Sequence, residues 1–371
     1  VAIGNSAGKI SQNNNSVAIG YVAGSNSQGA YATAVGDNAG YNAQAANAVA
    51  VGHDAGKTAQ GASAVAVGYL AGSNAQGTQS VAIGYVAGGA SQGANSVALG
   101  VAAGRNAQGA SAVAIGQDAA SGSQGNNATA VGRLAGYNAQ GATATAVGFA
   151  AGCGSQGTQG TAVGYYAGKV SQGSYATAVG DSAGCNAQGD SSVAVGRAAG
   201  LTSQGANAVA VGHGAAQTSQ GAYATAVGDS AGYNAQGDNG VAVGRAAGQV
   251  SQGANGVAIG YSAGCGDQGA QSVAIGYFAS VLRNCPVAWR SANRVTCRSV
   301  RSRSEKRCAC SRTAFLGRNM QRRKATEVGS LEIRAEANEM LYRRDASKHC
   351  CCVERREAVR VGNANVHREC S

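Results

Sequence analysis

The sequence predicts an all-β fold, a parallel β-solenoid or β-roll with 16-residue coils. A unit of that length recurs from residue 1 to residue 279 without insertion or deletion. It is too short for a helix pair, which takes about 33 residues or more. Each unit opens with branched residues alternating with Ala, which is the periodicity of a strand. Because solenoids grow in one dimension, the 371-residue length does not by itself indicate several globular domains.

We number the repeat from its first to its sixteenth position, with Val17 as a first position. Every copy has Ala at the second position, Gly at the fourth and Ala at the seventh. Every complete copy has Gln at the twelfth position. Since these are comparisons among copies in one chain, each shared residue reports a physical requirement of the coil.

The strand of each copy is typified by Val17-Ala18-Ile19-Gly20. Successive side chains of a strand point to opposite faces, so Val17 and Ile19 share one face and Ala18 lies on the other. We expect Val17 and Ile19 to point into the coil. The resulting core is thin, because burying these side chains contributes only roughly 3–5 kcal/mol of stabilisation per coil. The small Ala face therefore predicts a second packed surface, such as another chain.

The twelfth-position Gln lies beside a predicted corner, as in Ser27-Gln28-Gly29. Stacked coils place these side chains in a column with a spacing of about 4.8 Å, where amides form ladders. We interpret the column as structural, because a single binding site does not explain an unbroken series of one amide. The predicted corner ladder begins with Gln12, Gln28, Gln44, Gln60, Gln76, Gln92 and Gln108.

Charge divides the chain into two regions, a repeat region at 1–279 and a basic Cys/Arg-rich tail at 280–371. Seven Lys/Arg and eight Asp/Glu precede Ser280, whereas 21 basic and nine acidic residues follow Ala279. The net charge of +11 therefore belongs to the tail. We find no apolar run long enough for a transmembrane helix. The sequence begins at Val1, inside a repeat, so the lack of a signal peptide says nothing about secretion.

The repeats contain no pattern that predicts catalysis, a cofactor or a metal. No carboxylate pair, nucleophile–base set or metal cluster recurs at a workable spacing, so we do not expect an enzyme. His53 and His213 lie ten coils apart and cannot share a metal. The repeat cysteines stand at the variable ninth position, which we interpret as facing outward, and are Cys153, Cys185 and Cys265.

The strand motif resembles the head of trimeric autotransporter adhesins, the YadA-like family. Ser80-Val81-Ala82-Ile83-Gly84 and Ser96-Val97-Ala98-Leu99-Gly100 match that head motif closely, and the resemblance covers residues 1 to about 279. It implies a left-handed parallel β-roll, a homotrimer, and display on a cell or virion surface. The sequence departs from the family in lacking a neck motif, a heptad stalk and the alternating strands of a membrane-anchor barrel.

These observations predict an extracellular, surface-displayed rod that is adhesive or structural, with a host, matrix or surface ligand that the sequence does not identify. The variable fifth and fifteenth positions are the expected exposed surfaces. The alternative is an ice-binding or mineral-templating solenoid. Such a protein requires Thr to recur regularly on one flat strand face. Thr alternates irregularly with Val at the first position, as at Thr33 and Thr129, and we expect it to point inward.

The tail admits three interpretations. Cys308, Cys310, His349 and Cys350 could bind a metal, although their spacing matches no standard zinc pattern. Arg290 to Arg307 could form a nucleic-acid arm, although no aromatic platform accompanies it and no nucleic-acid partner is expected. The third interpretation is a sequence read out of frame.

The genetic code supports the out-of-frame interpretation. Ala288-Trp289-Arg290-Ser291-Ala292 can be written GCG TGG CGA TCG GC, which contains GTG GCG ATC GGC, or Val-Ala-Ile-Gly, in another frame. The 16-residue register calls for that motif at positions 289 to 292, one nucleotide away. The tail is then expected to be poorly structured, or weakly helical between residues 325 and 345.

Overall fold

The computed structural model describes residues 1–279 and three short strands at 287–289, 298–302 and 305–309. Residues 1–279 form a parallel β-solenoid with 16-residue coils and no helix, which confirms the predicted fold class. Most coils contribute one strand to each of two long sheets, called here the first and second sheets.

The first sheet has 19 strands, of which all but the last begin at the first or second repeat position. They are Ala2–Ile3, Val17–Ile19, Thr33–Val35, Val49–Val51, Val65–Val67, Val81–Ile83, Val97–Leu99, Val113–Ile115, Thr129–Val131, Thr145–Val147, Thr161–Val163, Thr177–Val179, Val193–Val195, Val209–Val211, Thr225–Val227, Val241–Val243, Val257–Ile259, Val273–Ile275 and Val287–Trp289.

The second sheet has 16 strands, each ending at the twelfth-position Gln. They are Ile10–Gln12, Asn26–Gln28, Asn42–Gln44, Thr58–Gln60, Asn74–Gln76, Ser91–Gln92, Ala107–Gln108, Ser123–Gln124, Ala139–Gln140, Ser155–Gln156, Val170–Gln172, Asn186–Gln188, Thr202–Gln204, Thr218–Gln220, Asn234–Gln236 and Val250–Gln252.

The register between coils is constant. Val17 pairs with Thr33, Ala18 with Ala34, and so on along the regular part of the first sheet, always one full repeat apart. Gln28 pairs with Gln44 in the same way in the second sheet. Identical repeat positions therefore lie in columns along the solenoid, and a column has one chemical character wherever the sequence repeats.

The interior of the coil is lined by small residues, which reverses our assignment of the strand faces. Ala18 is fully buried, while Val17 is half-buried and Ile19 is 36% exposed. The prediction that Val17 and Ile19 point inward is therefore wrong. Ala at the second and seventh positions and Ala, Ser or Gly at the sixteenth fill the core instead. In so short a coil the two sheets leave room for methyl groups and for one Gln side chain.

The corners explain why the fourth position is always Gly. Gly20 has φ +133°, and a Cβ there would lie 2.4 Å from the carbonyl oxygen of Gly36 in the next coil. No side chain fits at that distance. Residues other than Gly also have positive φ, at the sixth and fifteenth positions in the corners and at the eleventh position within the second-sheet strands. Examples are Val22 (57°), Tyr31 (59°) and Ser27 (60°).

Three strands are described after residue 279. Val287–Trp289 adds to the first sheet, with Ala274 opposite Ala288. These two residues are separated by less than one full repeat, so the regular spacing is lost at this point. Arg298–Ser302 and Glu305–Ala309 pair antiparallel. The predicted helical stretch at 325–345 lies outside the described residues.

Candidate interaction surface

The outward side of the first sheet is chemically uniform along the solenoid, and we call it the contact face. It consists of the first and third repeat positions, from Val1 and Ile3 to Val273 and Ile275. Val, Thr, Ile and Leu are the only residue types at these positions, and none is charged. Ile83 and Leu99 are 37% and 41% exposed. Contiguous apolar surface of this kind marks interaction sites in soluble proteins.

The contact face is ordered in two directions. Each coil contributes one row, made of a first-position and a third-position side chain, and consecutive rows are in register, as with Val81 opposite Val97 and Ile83 opposite Leu99. Rows are about 4.8 Å apart, which is the spacing between strands in a sheet. The face is therefore a flat ladder with a fixed period.

Threonine interrupts the contact face in one block and at two isolated rows. Four consecutive rows begin with Thr129, Thr145, Thr161 and Thr177, and each of these side chains is half-buried on the outward side. The prediction that Thr points inward is therefore wrong, for the same geometric reason as for Val17. The isolated rows begin with Thr33 and Thr225.

The surface across the coil, on the outside of the second sheet, is polar. Its tenth position often contains Asn or Thr, and the Asn26 side chain donates a 2.8 Å hydrogen bond to the Asn42 side chain in the next coil. Ser and Ala at the eleventh position are exposed. The solenoid is consequently amphipathic, with an apolar and a polar side.

A rim of exposed residues follows the contact face at the fifth position. Rings in neighbouring coils stack there, with centroids 5.0 Å apart for His53 and Tyr69 and 5.3 Å apart for Tyr69 and Tyr85. Phe149 stacks on Tyr165 at 5.3 Å. Stacked aromatic pairs contribute about 0.5–1.5 kcal/mol beyond their buried area. The rim thus adds local stability wherever aromatic residues recur in adjacent coils.

Cations extend two of these aromatic columns. The Arg133 guanidinium lies 5.6 Å from the Phe149 ring centroid, and Arg245 lies at the same distance from Tyr261. Such contacts contribute about 0.5–1 kcal/mol at exposed sites. They join basic, acidic and aromatic residues into one column without forming a pocket for a ligand.

Asp229 is the centre of a charged group in the same rim. Its carboxylate lies 3.3 Å from His213 Nδ1 and 3.7 Å from Arg245 Nε. A hydrogen bond from Ser230 is the main cause of the lowered pKa of Asp229. Burial acts in the opposite direction, and the contacts with His213 and Arg245 lower the pKa further. Because the groups are exposed, the ion pairs contribute little to stability.

The twelfth-position Gln side chains lie inside the coil. Side chains from Gln12 to Gln76 form a continuous ladder, in which each Nε2 donates to the Oε1 of the next at 3.1 to 3.2 Å. The members of this run are Gln12, Gln28, Gln44, Gln60 and Gln76.

Gln92 and Gln108 bond to the opposite sheet. Their Nε2 groups donate to the carbonyls of Val81 at 2.8 Å and Val97 at 2.7 Å. Gln28 makes the same bond to Val17. Each Gln therefore connects the second sheet to the first across the interior, and its role is that of an internal brace. Sequence reasoning missed this bond because it placed the side chain at the corner.

Burial lowers the reactivity of two of the three repeat thiols. Cys153 and Cys185 are half-buried, and burial raises the pKa of each thiol although Lys169 acts in the opposite direction. A raised pKa keeps a thiol protonated and weakly nucleophilic at neutral pH. Among the described residues no group of three or more His, Cys, Asp and Glu could hold a metal. The tail residues Cys310, His349 and Cys350, and most of 290–307, lie outside that part of the chain.

Comparison of the chain with protein-family models, curated proteins and solved structures finds no match. Within the part of the chain that the structure describes, no helix is long and apolar enough to cross a membrane.

Proposed function

We propose that this chain is a surface-displayed rod, adhesive or structural, that assembles as a homotrimer through its contact face. The observation that carries the assembly is the restricted chemistry of that face. The neighbouring fifth position accepts Tyr, Asp, His, Arg and Gln, whereas the first and third positions accept only Val, Thr, Ile and Leu. An outward surface that met only water would have no physical reason to exclude charge.

The thin interior supports the same proposal. A typical coil buries one Gln and only small residues besides it, at the second, seventh, eighth and sixteenth positions, so its core holds little apolar volume. Burying the outward Val and Ile side chains against other copies would add a part of the roughly 1.5–3 kcal/mol that full burial of such a side chain provides, because they are already partly buried in one chain. The resemblance to trimeric adhesin heads supports three copies, extracellular display and a non-catalytic role. The rim at the fifth and fifteenth positions stays exposed in such an assembly and is where adhesive contacts would form.

Sedimentation of the full chain tests the assembly, and we expect three times the monomer mass. Replacing Ile83 and Leu99 with Lys should dissociate the complex, because each buried charge would be unpaired. Asn74→Lys with Asn106→Lys, on the polar side, serves as the matched control and should leave the mass unchanged. A wild-type monomer would contradict the proposal. Adhesion is tested separately, by binding of the immobilised chain to matrix proteins and glycans.

An ice-binding or mineral-templating surface is the second candidate function, and the outward block of Thr favours it. The four consecutive Thr rows present hydroxyl and methyl groups on a flat, regularly spaced surface. Val at the first position of the other rows limits the area of this array. Thermal hysteresis of the full chain distinguishes the two functions, because a contact face buried between copies cannot reach ice.

A further inference from the structure

A repeated contact face poses a problem of alignment for any second copy. Rows follow one another at a constant period, so two copies could pair after sliding by one coil and still bury almost the same apolar surface. Strand arrays are weakly specified where the pattern does not distinguish one register from the next. A rod of this kind needs rows that differ from their neighbours.

The Thr block supplies such rows. Thr129, Thr145, Thr161 and Thr177 each pair with Val at the third position, so that these rows are Thr–Val. More apolar rows flank the block, with Val113–Ile115 immediately before it and Val193–Val195 immediately after it. The Thr strands are also fixed from the inside, as the carbonyls of Thr129 and Thr145 accept hydrogen bonds from Gln140 and Gln156.

We propose that the Thr block sets the register of the assembly, so that copies of this chain pair in parallel and unshifted, with Thr rows meeting Thr rows. This inference rests on the proposed homo-oligomer and names what aligns it. The occupant of the face is a second copy because only a partner with the same coil spacing can match rows over the length of the solenoid.

The physical reason is that a buried hydroxyl needs a hydrogen-bond partner. In the unshifted arrangement each Thr hydroxyl meets the same hydroxyl of a neighbouring copy. After a slide of one coil, Thr177 faces Val193 and Val113 faces Thr129 of the other copy. Thr33 and Thr225 also lose their matching rows. Each hydroxyl buried without a partner disfavours the slid register about tenfold.

Orientation is selected by the block together with the isolated Thr rows. A reversed copy centred on the block would match its four Thr rows, but Thr33 would then meet Val273 and Thr225 would meet Val81. If one copy is reversed end for end about the middle of the 18 rows, Thr177 meets the Val97–Leu99 row and Thr161 meets the Val113–Ile115 row. Hydroxyls then face the bulkier apolar rows. The order of the rows therefore differs between the two directions of the chain. All rows match only when the copies are parallel and not shifted along the solenoid.

The test uses the full chain with a photo-crosslinking phenylalanine analogue at Ser111, an exposed fifteenth position beside the contact face. Crosslinked peptides are mapped by mass spectrometry, since variable positions distinguish the coils. In the otherwise wild-type chain we expect crosslinks to the same coil of the other copy. After replacement of the four block threonines with Val, we expect crosslinks to spread to the coils on either side.

A matched control carries three hydroxyl-to-methyl changes in the second sheet, away from the contact face, namely Thr58→Val, Thr202→Val and Thr218→Val. It should keep the single register. Circular dichroism checks that both variants fold, and the block variant should remain assembled because its face is more apolar.

The outcomes separate the two proposals. A monomeric wild-type chain overturns the homotrimer and this inference with it. An assembled wild type that already shows several registers, or a block variant that keeps one register, overturns the inference alone.

Discussion

Two glycines of one corner, Gly212 and Gly214, give a matched test of what limits the approach of successive coils. Gly212 occupies the fourth position and has φ +130°, and a Cβ there would lie 2.5 Å from the carbonyl oxygen of Gly228. Gly214 occupies the sixth position with φ +59°, and its nearest neighbour would be a Tyr233 ring carbon at 3.6 Å. One added methyl group is therefore excluded at the first site and accommodated at the second.

The expected cost of Gly212→Ala combines two effects. Overpacking in a well-packed interior costs about 1–3 kcal/mol. The backbone conformation, which L residues rarely adopt, adds about 1–3 kcal/mol. Relief by moving these two coils apart would lengthen the hydrogen bonds between them, such as Gly228 N to Val211 O and Val209 N to Ala224 O, both at 2.8 Å. We expect a total of about 3–5 kcal/mol.

Gly214→Ala should cost much less. Left-handed backbone costs an L residue about 1–2 kcal/mol, and reduced freedom of the unfolded chain returns about 0.4–1 kcal/mol. Other copies already carry larger residues at this position, including Leu70 and Tyr166. A net loss of about 1 kcal/mol or less follows.

Denaturant unfolding of each full-length variant, followed by far-UV circular dichroism, measures the difference. Because repeat stability depends on contacts between neighbouring coils, Gly212→Ala should also speed amide exchange at Gly228 more than at distant coils. Equal destabilisation by the two substitutions would refute the idea that carbonyl approach at the fourth position sets the coil spacing.

Three further substitutions test other features of the coil. Val86→Asn should raise the melting temperature, because a β-branched residue at φ 56° is strained and Asn tolerates that backbone; an unchanged or lower value contradicts this. Gln140→Met keeps the volume but removes the donor to Thr129 O at 2.7 Å, so chemical denaturation should show a loss of about 1–3 kcal/mol. Asp229 has a lowered pKa, so its small stabilisation is present above the unfolded-state pKa and is lost as pH falls through the folded-state pKa. Asp229→Asn should weaken the acid dependence of the melting temperature, and an identical pH profile would count against the contact.

The architecture could be predicted because the period constrains it directly. A 16-residue unit with an alternating strand and Gly at fixed positions is compatible with few folds. The register between successive coils follows from the exact repetition of the unit. The direction of the side chains could not be obtained from alternation alone. A period of two assigns Val17 and Ala18 to opposite faces but does not say which face is inside.

The general preference for burying large apolar residues gave the wrong answer here. That preference assumes an interior wide enough to hold them, whereas this coil encloses mainly Ala and a single Gln. The same error placed Thr inside and weakened the case for an ordered hydroxyl surface. The turn-like Ser27-Gln28-Gly29 sequence separately indicates a corner for Gln28, whereas its amide crosses the interior to the Val17 carbonyl at 2.8 Å.

A signal that separates the two faces is nevertheless present in the repeats. A narrow interior accepts one side-chain size, and the second and seventh positions are Ala in every copy. The first position changes between Val and Thr, and the third among Val, Ile and Leu, so these columns tolerate differences in volume and polarity. Close-packed interiors respond to a single methylene, which makes the invariant column the inner one. The first and third positions, which vary only among a few uncharged residues, then form an outer surface that packs against a partner. The fifth position accepts any residue and is the surface in contact with solvent. Uniformity, rather than hydrophobicity, identifies the core of a coil this small.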